Sequence, residues 1–167
     1  MAYESIYPRT PVGRFEIKTL PPRQALAATA ACDAFEDRGA AFSKLFAYIR
    51  TNRVAMSVPV EASAATNQMV FFVGPKSAGL ALAAANGVTV EAMPERTVAS
   101  LGLRGSYTRK RHEDGLQRLQ AWLARKPEWR ACGEPYAVYW NSPFVPPFLR
   151  KSEIHLPVAR VAAQPPS

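Results

Sequence analysis

A short stretch that occurs twice decides the fold of this chain. Residues 15–23 read FEIKTLPPR and residues 88–96 read VTVEAMPER, so the two copies start 73 positions apart. In each copy apolar and polar residues alternate, and this period of two predicts a β-strand with one buried face. In each copy the alternating residues are followed by an apolar-Pro-x-Arg sequence. Proline ends a strand or forms a bulge because it has no N–H to donate. The repeat therefore predicts the same strand and the same break in both halves.

A second pair of matching segments predicts one helix in each half. Residues 41–49 read AFSKLFAYI and align, at an offset of 74, with GLQRLQAWL at residues 115–123. In both segments apolar side chains recur at the three- and four-residue spacing of one helical face. Arg50 and Arg125 follow the two segments, where a cation is favoured by the dipole of a helix C-terminus. Each half is thus predicted to contain an amphipathic helix.

Two further strand-like runs follow each predicted helix. They cover residues 54–61 and 68–73 in the first half, and residues 135–140 and 152–158 in the second. Each half then has the order strand, strand, helix, strand, strand, which gives about eight strands and two helices in an α+β fold. We expect a single domain over residues 1–167, built from an internal repeat whose halves are about 14–74 and 87–158. The sheets of the two halves would close into a barrel-like core, and the Ala- and Pro-rich tail 159–167 is expected to be disordered.

The composition is that of a globular protein with excess positive charge. There are 21 Lys and Arg against 13 Asp and Glu, a net charge of +8, and 48% of the residues are hydrophobic. That apolar fraction is too high for a disordered chain, and no apolar run approaches the ~18 residues of a membrane span. The basic residues are scattered, which favours an anionic small ligand over nucleic acid. Two cysteines, Cys32 and Cys132, are too few for a disulfide framework, and the first residues lack a signal-peptide pattern, so we expect a cytoplasmic protein.

The first predicted helix and the turn after it combine apolar and cationic side chains. The apolar members are Phe42, Leu45, Phe46, Ile49 and Met56, and the cationic members are Lys44, Arg50 and Arg53. Such a stripe serves either as plain core or as one wall of a groove. A groove of this kind would bury the rings of a flat molecule, while the arginines would bind its carboxylates. A tetrapyrrole fits that description.

A loop rich in proline and aromatic residues is the second candidate element. Residues 139–151 read YWNSPFVPPFLRK, and Phe144 and Phe148 have no evident helix or strand face to fill. The prolines stiffen the loop, so less entropy is lost if it covers a ligand. The loop is either the lip of a pocket that ends in Arg150 and Lys151, or an Ω-like loop packed on its own aromatic side chains.

Signatures of the common hydrolases and nucleotide-binding enzymes are absent from the sequence. The two histidines, His112 and His155, have no partner at metal-ligand spacing, and we expect both to be exposed. Either one could ligate iron through a neutral imidazole nitrogen. An enzyme would be favoured by a buried carboxylate or histidine with a perturbed pKa inside the groove. The carboxylates to inspect are Glu61, Glu91, Glu95 and Glu153, which we expect to be exposed.

Motifs in a fixed order are similar to those of the SOUL haem-binding protein family. A strand ending in Pro21-Pro22-Arg23 comes first, then the helix over residues 41–50, and then Met56-Ser57-Val58-Pro59-Val60. A proline-rich loop that closes in LRKSE, residues 149–153, follows, and the final strand ends in Pro157-Val158. The resemblance covers residues 15–158, nearly the whole chain.

This resemblance implies a fold, a ligand and a site. The fold is a distorted β-barrel of two four-stranded antiparallel sheets flanked by two helices. The ligand is non-covalent haem or another tetrapyrrole, bound in the groove beside the first helix. The implied binding residues are Phe42, Lys44, Leu45, Phe46, Ile49, Arg50, Arg53, Met56, Phe144, Phe148, Arg150 and Lys151.

The resemblance leaves the iron ligand and the exact role open. Neither histidine lies in the first helix or the turn after it, so we expect weak axial ligation or none, with Tyr48, Met56 or Cys32 as other candidates. Haem without a strong ligand exchanges readily, which suits a carrier or buffer. The family is similar to GyrI-like effector-binding domains, so a binding module for another aromatic ligand and a small-molecule enzyme are the alternatives.

Overall fold

The computed structural model describes residues 4–29, 38–63, 65–141 and 145–161. The strands are β1 (Glu4–Ser5), β2 (Phe15–Leu20), β3 (Arg23–Thr29), β4 (Ser57–Val58), β5 (Val60–Ser63), β6 (Gln68–Val73), β7 (Val88–Met93), β8 (Arg96–Arg104), β9 (Trp129–Ala131), β10 (Tyr136–Tyr139) and β11 (Lys151–Arg160). The helices are α1 (Arg38–Thr51) and α2 (Arg109–Leu123), with short 3₁₀ helices at Pro75–Ser77 and Pro147–Leu149. The α+β class and the two helices are confirmed, and the order of the long elements follows the predicted order in each half.

Most strands form one open sheet in place of the predicted barrel of two four-stranded sheets. Its order is β2-β8-β11-β10-β5-β6-β3-β7, all pairs are antiparallel, and β9 adds to β11. The two halves join in the middle, because β10 pairs with β11 on one side and with β5 on the other. Among the described strands no ladder connects β2 with β7, so the sheet has two free edges. The internal repeat stays a prediction.

The prolines mark the two places where the chain crosses from one edge of the sheet to the other. Pro21 and Pro22 separate β2, an edge strand, from β3 near the opposite edge, and Pro94 and Glu95 separate β7 from β8 in the reverse sense. A strand that turns a corner between sheet regions must leave its ladder, and proline has no N–H to lose there. The predicted strand breaks are confirmed.

The two faces of the sheet are covered by different parts of the chain. One face packs both helices: Leu45 and Ile49 of α1 join one buried cluster, and Leu119 of α2 joins another that includes Ile154 and Leu156. The opposite face packs against the N-terminal segment, residues 4–11, whose Tyr7 is buried in a third apolar cluster. Gly102 of β8 has no Cβ, and a Cβ there would collide with the carbonyl oxygen of Pro11, so the glycine lets this segment approach.

Two elements of the second half have bounds that differ from the prediction: the start of α2 and the end of β11. The side chain of Thr108 accepts a 3.2 Å hydrogen bond from the Arg111 N–H and caps α2, so the helix begins before residue 115 and includes His112. The last strand continues past Val158, because Ala159 and Arg160 pair with Arg130 and Trp129 of β9. Ala159 and Arg160 of the expected tail thus belong to a strand, and residues 162–167 lie outside the described part.

Candidate functional site

Two phenylalanines of α1 form a flat aromatic surface at the protein exterior. The rings of Phe42 and Phe46 are stacked, with centroids 5.9 Å apart and planes 13° from parallel. Phe42 also contacts the ring of Phe71 in β6 edge-on at 5.3 Å, which anchors the pair to the core. Phe46 is 40% exposed, which is a large exposure for an aromatic side chain. The stack thus offers an accessible apolar wall.

Two other residues predicted to line the groove are core residues. Leu45 is 0% exposed and Ile49 is 4% exposed, because they lie at the centre of the helical face that packs on β3 and β6. Phe42 and Met56 are half-buried and pack against the same cluster from its border. The accessible apolar surface is therefore narrower than the predicted one.

The cations around α1 divide between two flanks of the helix. The guanidinium of Arg50 lies over the ring of Phe46, 6.0 Å from its centroid, and Arg53 is exposed just after the helix. Lys44 lies near Gly87, in the loop before β7. Tyr48 shares this flank and donates a 2.8 Å hydrogen bond to the Ala83 carbonyl in the same loop. Lys44 is thus separated from the aromatic stack, whereas Arg50 belongs to it.

The end of the proline-rich loop packs near the same core cluster as α1. Arg150 Nε donates a 2.9 Å hydrogen bond to the Val145 carbonyl, and its guanidinium lies 5.5 Å over the ring of Tyr107. The rings of Tyr107 and Tyr139 are 4.3 Å apart, and Tyr139 belongs to the buried cluster beneath α1. Arg150 therefore lies on the helix-bearing face of the sheet.

The remaining loop candidates differ in how far the structure describes them. Phe148 is 70% exposed, which favours the lip of a pocket over an Ω-like loop packed on its own aromatic side chains. The Lys151 N–H donates a 2.6 Å hydrogen bond to Asn141 Oδ1, and the Lys151 carbonyl accepts one of 3.0 Å from the Tyr107 hydroxyl. Phe144 and Cys32 lie outside the described residues.

His112 differs from the prediction of an exposed loop residue. It lies in the first turn of α2, is half-buried, and lines a small cavity together with Tyr107 and Tyr139. Burial lowers the pKa of its imidazole, which favours the neutral form. Of the two histidines, His112 is the one on the helix-bearing face.

His155 lies on the opposite face and is fully buried, which contradicts the expectation of an exposed strand histidine. Its Nε2 lies 2.8 Å from Glu153 Oε1, and its Nδ1 lies 3.1 Å from the hydroxyl of Tyr136. The alternation of β11 places it opposite Ile154, as predicted. The N-terminal segment covers that side of β11, however, and shields it from solvent. With both nitrogens engaged and no exposed surface, His155 is no candidate for an iron ligand beside α1.

Glu153 is the centre of a buried polar network. Its carboxylate accepts hydrogen bonds from Lys18 Nζ at 2.6 Å, the Thr10 N–H at 3.1 Å, Ser100 Oγ at 2.9 Å and Trp140 Nε1 at 2.5 Å, besides the contact with His155. Burial by itself would raise the pKa of this carboxyl. The hydrogen bond and charge of His155, and then those of Lys18, outweigh burial and lower the pKa to about 2.

A second buried carboxylate lies on the same face of the sheet. Glu61 is 4% exposed and accepts a 2.9 Å hydrogen bond from the Tyr7 hydroxyl, with Arg23 at 3.8 Å. Burial and the nearby Glu61 charge raise the pKa of Tyr7 well above its usual value. Glu61 and Glu153 thus contradict the expected exposure, whereas Glu91 and Glu95 are exposed as expected. An enzyme would be favoured by a buried carboxylate or histidine with a perturbed pKa inside the α1 groove. Glu61, Glu153 and His155 lie on the opposite face of the sheet and are not such groups.

The fold and the surface beside α1 define a two-helix α+β protein with an exposed aromatic and cationic patch. The sequence profile of the SOUL heme-binding protein family matches residues 1–157, so this chain belongs to that family. No curated protein sequence matches the chain. None of the helices in the described part is long and apolar enough to cross a membrane.

Solved structures show that the fold is shared with distant proteins. The EcmrR chain of an EcmrR–DNA complex superposes with a TM-score of 0.65 at 11% identity, over 89% of this chain and 58% of that chain. This chain therefore spans little more than half of that EcmrR chain. The EcmrR C-terminal domain gives a TM-score of 0.59 at 13% identity, over 89% and 98%. A hydrolase from Listeria innocua gives 0.61 at 13% identity, over 90% and 94%.

Proposed function

We propose that this protein binds haem, or a related tetrapyrrole, non-covalently on the surface beside α1. The observation that carries the proposal is the stack of Phe42 and Phe46 with the Arg50 guanidinium over it, exposed on a chain of the SOUL family. A stacked aromatic pair matches the planar, apolar macrocycle. A nearby arginine matches a propionate, because guanidinium and carboxylate form paired, charge-assisted hydrogen bonds.

Three arginines are the proposed partners of the propionates. Arg50 follows the stack in the last turn of α1, Arg53 lies just after the helix, and Arg150 lies in the loop on the same face of the sheet. Met56 and Phe148 would extend the apolar contact at the two sides. Because Leu45 and Ile49 are core, they support the wall from below and do not touch the ligand.

Haem held in this way depends on apolar burial and propionate pairing more than on an iron ligand. His155 is excluded by its position, and His112 lies on the correct face but is set into the cavity at the start of α2. Weakly ligated haem exchanges readily, which fits a carrier or buffer. The expected cytoplasmic location stays a prediction.

A titration with two tetrapyrroles tests the proposal. Hemin and iron-free protoporphyrin IX are added to the protein, and binding is followed by Soret absorbance and tryptophan quenching. We expect both to bind with similar affinity, and Phe46→Ala to weaken both about tenfold through loss of apolar contact. Leu80→Ala is the matched control, because Leu80 is also 40% exposed but lies outside the proposed site.

The outcomes separate the candidate functions. If Phe46→Ala binds both tetrapyrroles with unchanged affinity, the tetrapyrrole site does not lie beside α1. Binding of hemin alone requires an axial ligand and contradicts a site based on burial and propionates. Binding of neither compound refutes the proposal and favours a binding module for another aromatic ligand.

A further inference from the structure

A second groove lies beside the other helix, between the end of α2 and β9. Its volume is about 380 Å³ and it is open to solvent. Its apolar walls are Leu123 of α2, Leu156 of β11 and the indole of Trp129 in β9. None of the residues proposed for the tetrapyrrole site lines it, so the two surfaces are separate.

The local chain path creates this groove. After α2 ends at Leu123, the Lys126 N–H bonds to the Leu123 carbonyl at 2.9 Å, and the Trp129 N–H bonds to the Lys126 carbonyl at 3.0 Å. This tight turn carries the chain into β9, which pairs with the far end of β11. Ala124 and Ala131 also line the space and are too small to fill it.

The rim of the groove is cationic. The guanidinium of Arg160 lies over the Trp129 ring at 5.1 Å, and these two residues are paired between β11 and β9 on the face that α2 covers. Arg130 pairs with Ala159, so its side chain points to the opposite face of the sheet. In the described part of the chain Arg160 has no ion-pair partner, and no acidic side chain lines the groove. Arginine stays protonated at all accessible pH values. The groove therefore presents an uncompensated positive charge beside an indole ring.

The groove also has a counterpart in the pattern of the sequence. Gln120, Leu123 and Ala124 line it on α2, and at the offset of 74 they align with Phe46, Ile49 and Arg50 of α1. The second helix thus has its groove on the flank that matches the aromatic and cationic flank of the first. Here the aromatic group comes from β9 and the cationic group from β11.

We propose that this groove binds a small planar aromatic carboxylate. The rings would lie against Trp129 and Leu123, and the carboxylate would accept hydrogen bonds from Arg160. The volume is near the lower end of the range for ligand pockets, which suits a two-ring molecule better than a macrocycle. The proposal does not depend on haem binding at α1.

Calorimetric titration with 2-naphthoate and with its neutral analogue 2-naphthamide tests this site. We expect saturable one-to-one binding of naphthoate, about tenfold tighter than the amide, because hydrogen bonds to charged groups are the stronger ones. The variant Arg160→Gln is expected to lose this preference. Its control is Arg130→Gln, which removes the same charge from an exposed position on the opposite face of the same sheet edge.

A groove-filling variant makes the test independent of charge. Ala124→Leu adds volume at an exposed position, so the fold is retained, and it is expected to abolish binding of both compounds. The proposal is refuted if naphthoate shows no saturable binding at millimolar concentration, or if Arg160→Gln binds it like Arg130→Gln. Naphthoate binding that is lost in Phe46→Ala and kept in Ala124→Leu refutes it as well, and assigns the compound to α1.

Discussion

Replacing Glu153 by glutamine should destabilise the protein strongly at neutral pH. The amide has nearly the same shape, but it cannot pair with Lys18, whose Nζ lies 2.6 Å from the carboxylate. Removing one partner of a buried ion pair leaves an uncompensated charge and costs about 3–5 kcal/mol. The Trp140 and Thr10 N–H groups would also face an amide in place of a charged acceptor.

The pKa of Glu153 expresses the same contacts as a second magnitude. The pKa falls from 4.5 to about 2 on folding, and at about 1.4 kcal/mol per pH unit this corresponds to about 3 kcal/mol of stability. Because the folded pKa is the lower one, this stability is complete above the unfolded pKa and is lost as the pH falls. About 2 kcal/mol of it is lost by pH 3.

Urea denaturation at pH 7 and at pH 3 measures both effects. We expect Glu153→Gln to unfold several kcal/mol more easily than the native protein at pH 7, and the difference to shrink by about 2 kcal/mol at pH 3. Glu91→Gln is the control, because Glu91 is exposed on β7. If Glu153→Gln matches this control at pH 7, or if the difference does not change with pH, the buried network does not contribute as argued.

Three further predictions concern the two faces of the sheet. Leu45→Ala should lower the free energy of unfolding by about 2–5 kcal/mol as a core truncation, and Phe46→Ala by less than about half of that; equal losses in thermal melts would contradict the assignment of core and wall. Arg50→Ala with Arg53→Ala should weaken protoporphyrin IX about tenfold but leave its dimethyl ester unaffected, and equal losses in a Soret titration would rule out propionate pairing. His155→Gln should leave the Soret maximum of bound hemin unmoved, since this ring faces the other side of the sheet; a shifted maximum would show that it ligates the iron.

The features that depend on local pattern could be predicted from the sequence. The alternation before Pro21 and Pro94 identified two strands and their ends, and the helical stripes identified both helices. The stripe did not distinguish Leu45, which is core, from Phe46, which is exposed. That difference depends on how α1 lies across β3 and β6, and four apolar residues in one stripe do not encode it.

The features that depend on distant partners could not be predicted. Alternation placed His155 on the face opposite Ile154, but its burial is due to residues 4–11, which are far away in the chain. The same holds for Glu153, which bonds to Thr10 across 143 positions. The pairing of β5 with β10 joins the two halves of the sheet, and no short motif indicates it. A signal was present in the polar residues at alternate positions of β11, but it does not say what covers them.

The open sheet also bears on how the protein avoids aggregation. A free edge strand is a template on which another chain can add a strand, and a charged side chain pointing inward from such a strand opposes this. One free edge has such a charge near its middle: Lys18 in β2 is held inward by Glu153. A strand added beside β2 would have to cover this charged group. The ion pair that secures the N-terminal segment therefore also guards one edge of the sheet against intermolecular pairing.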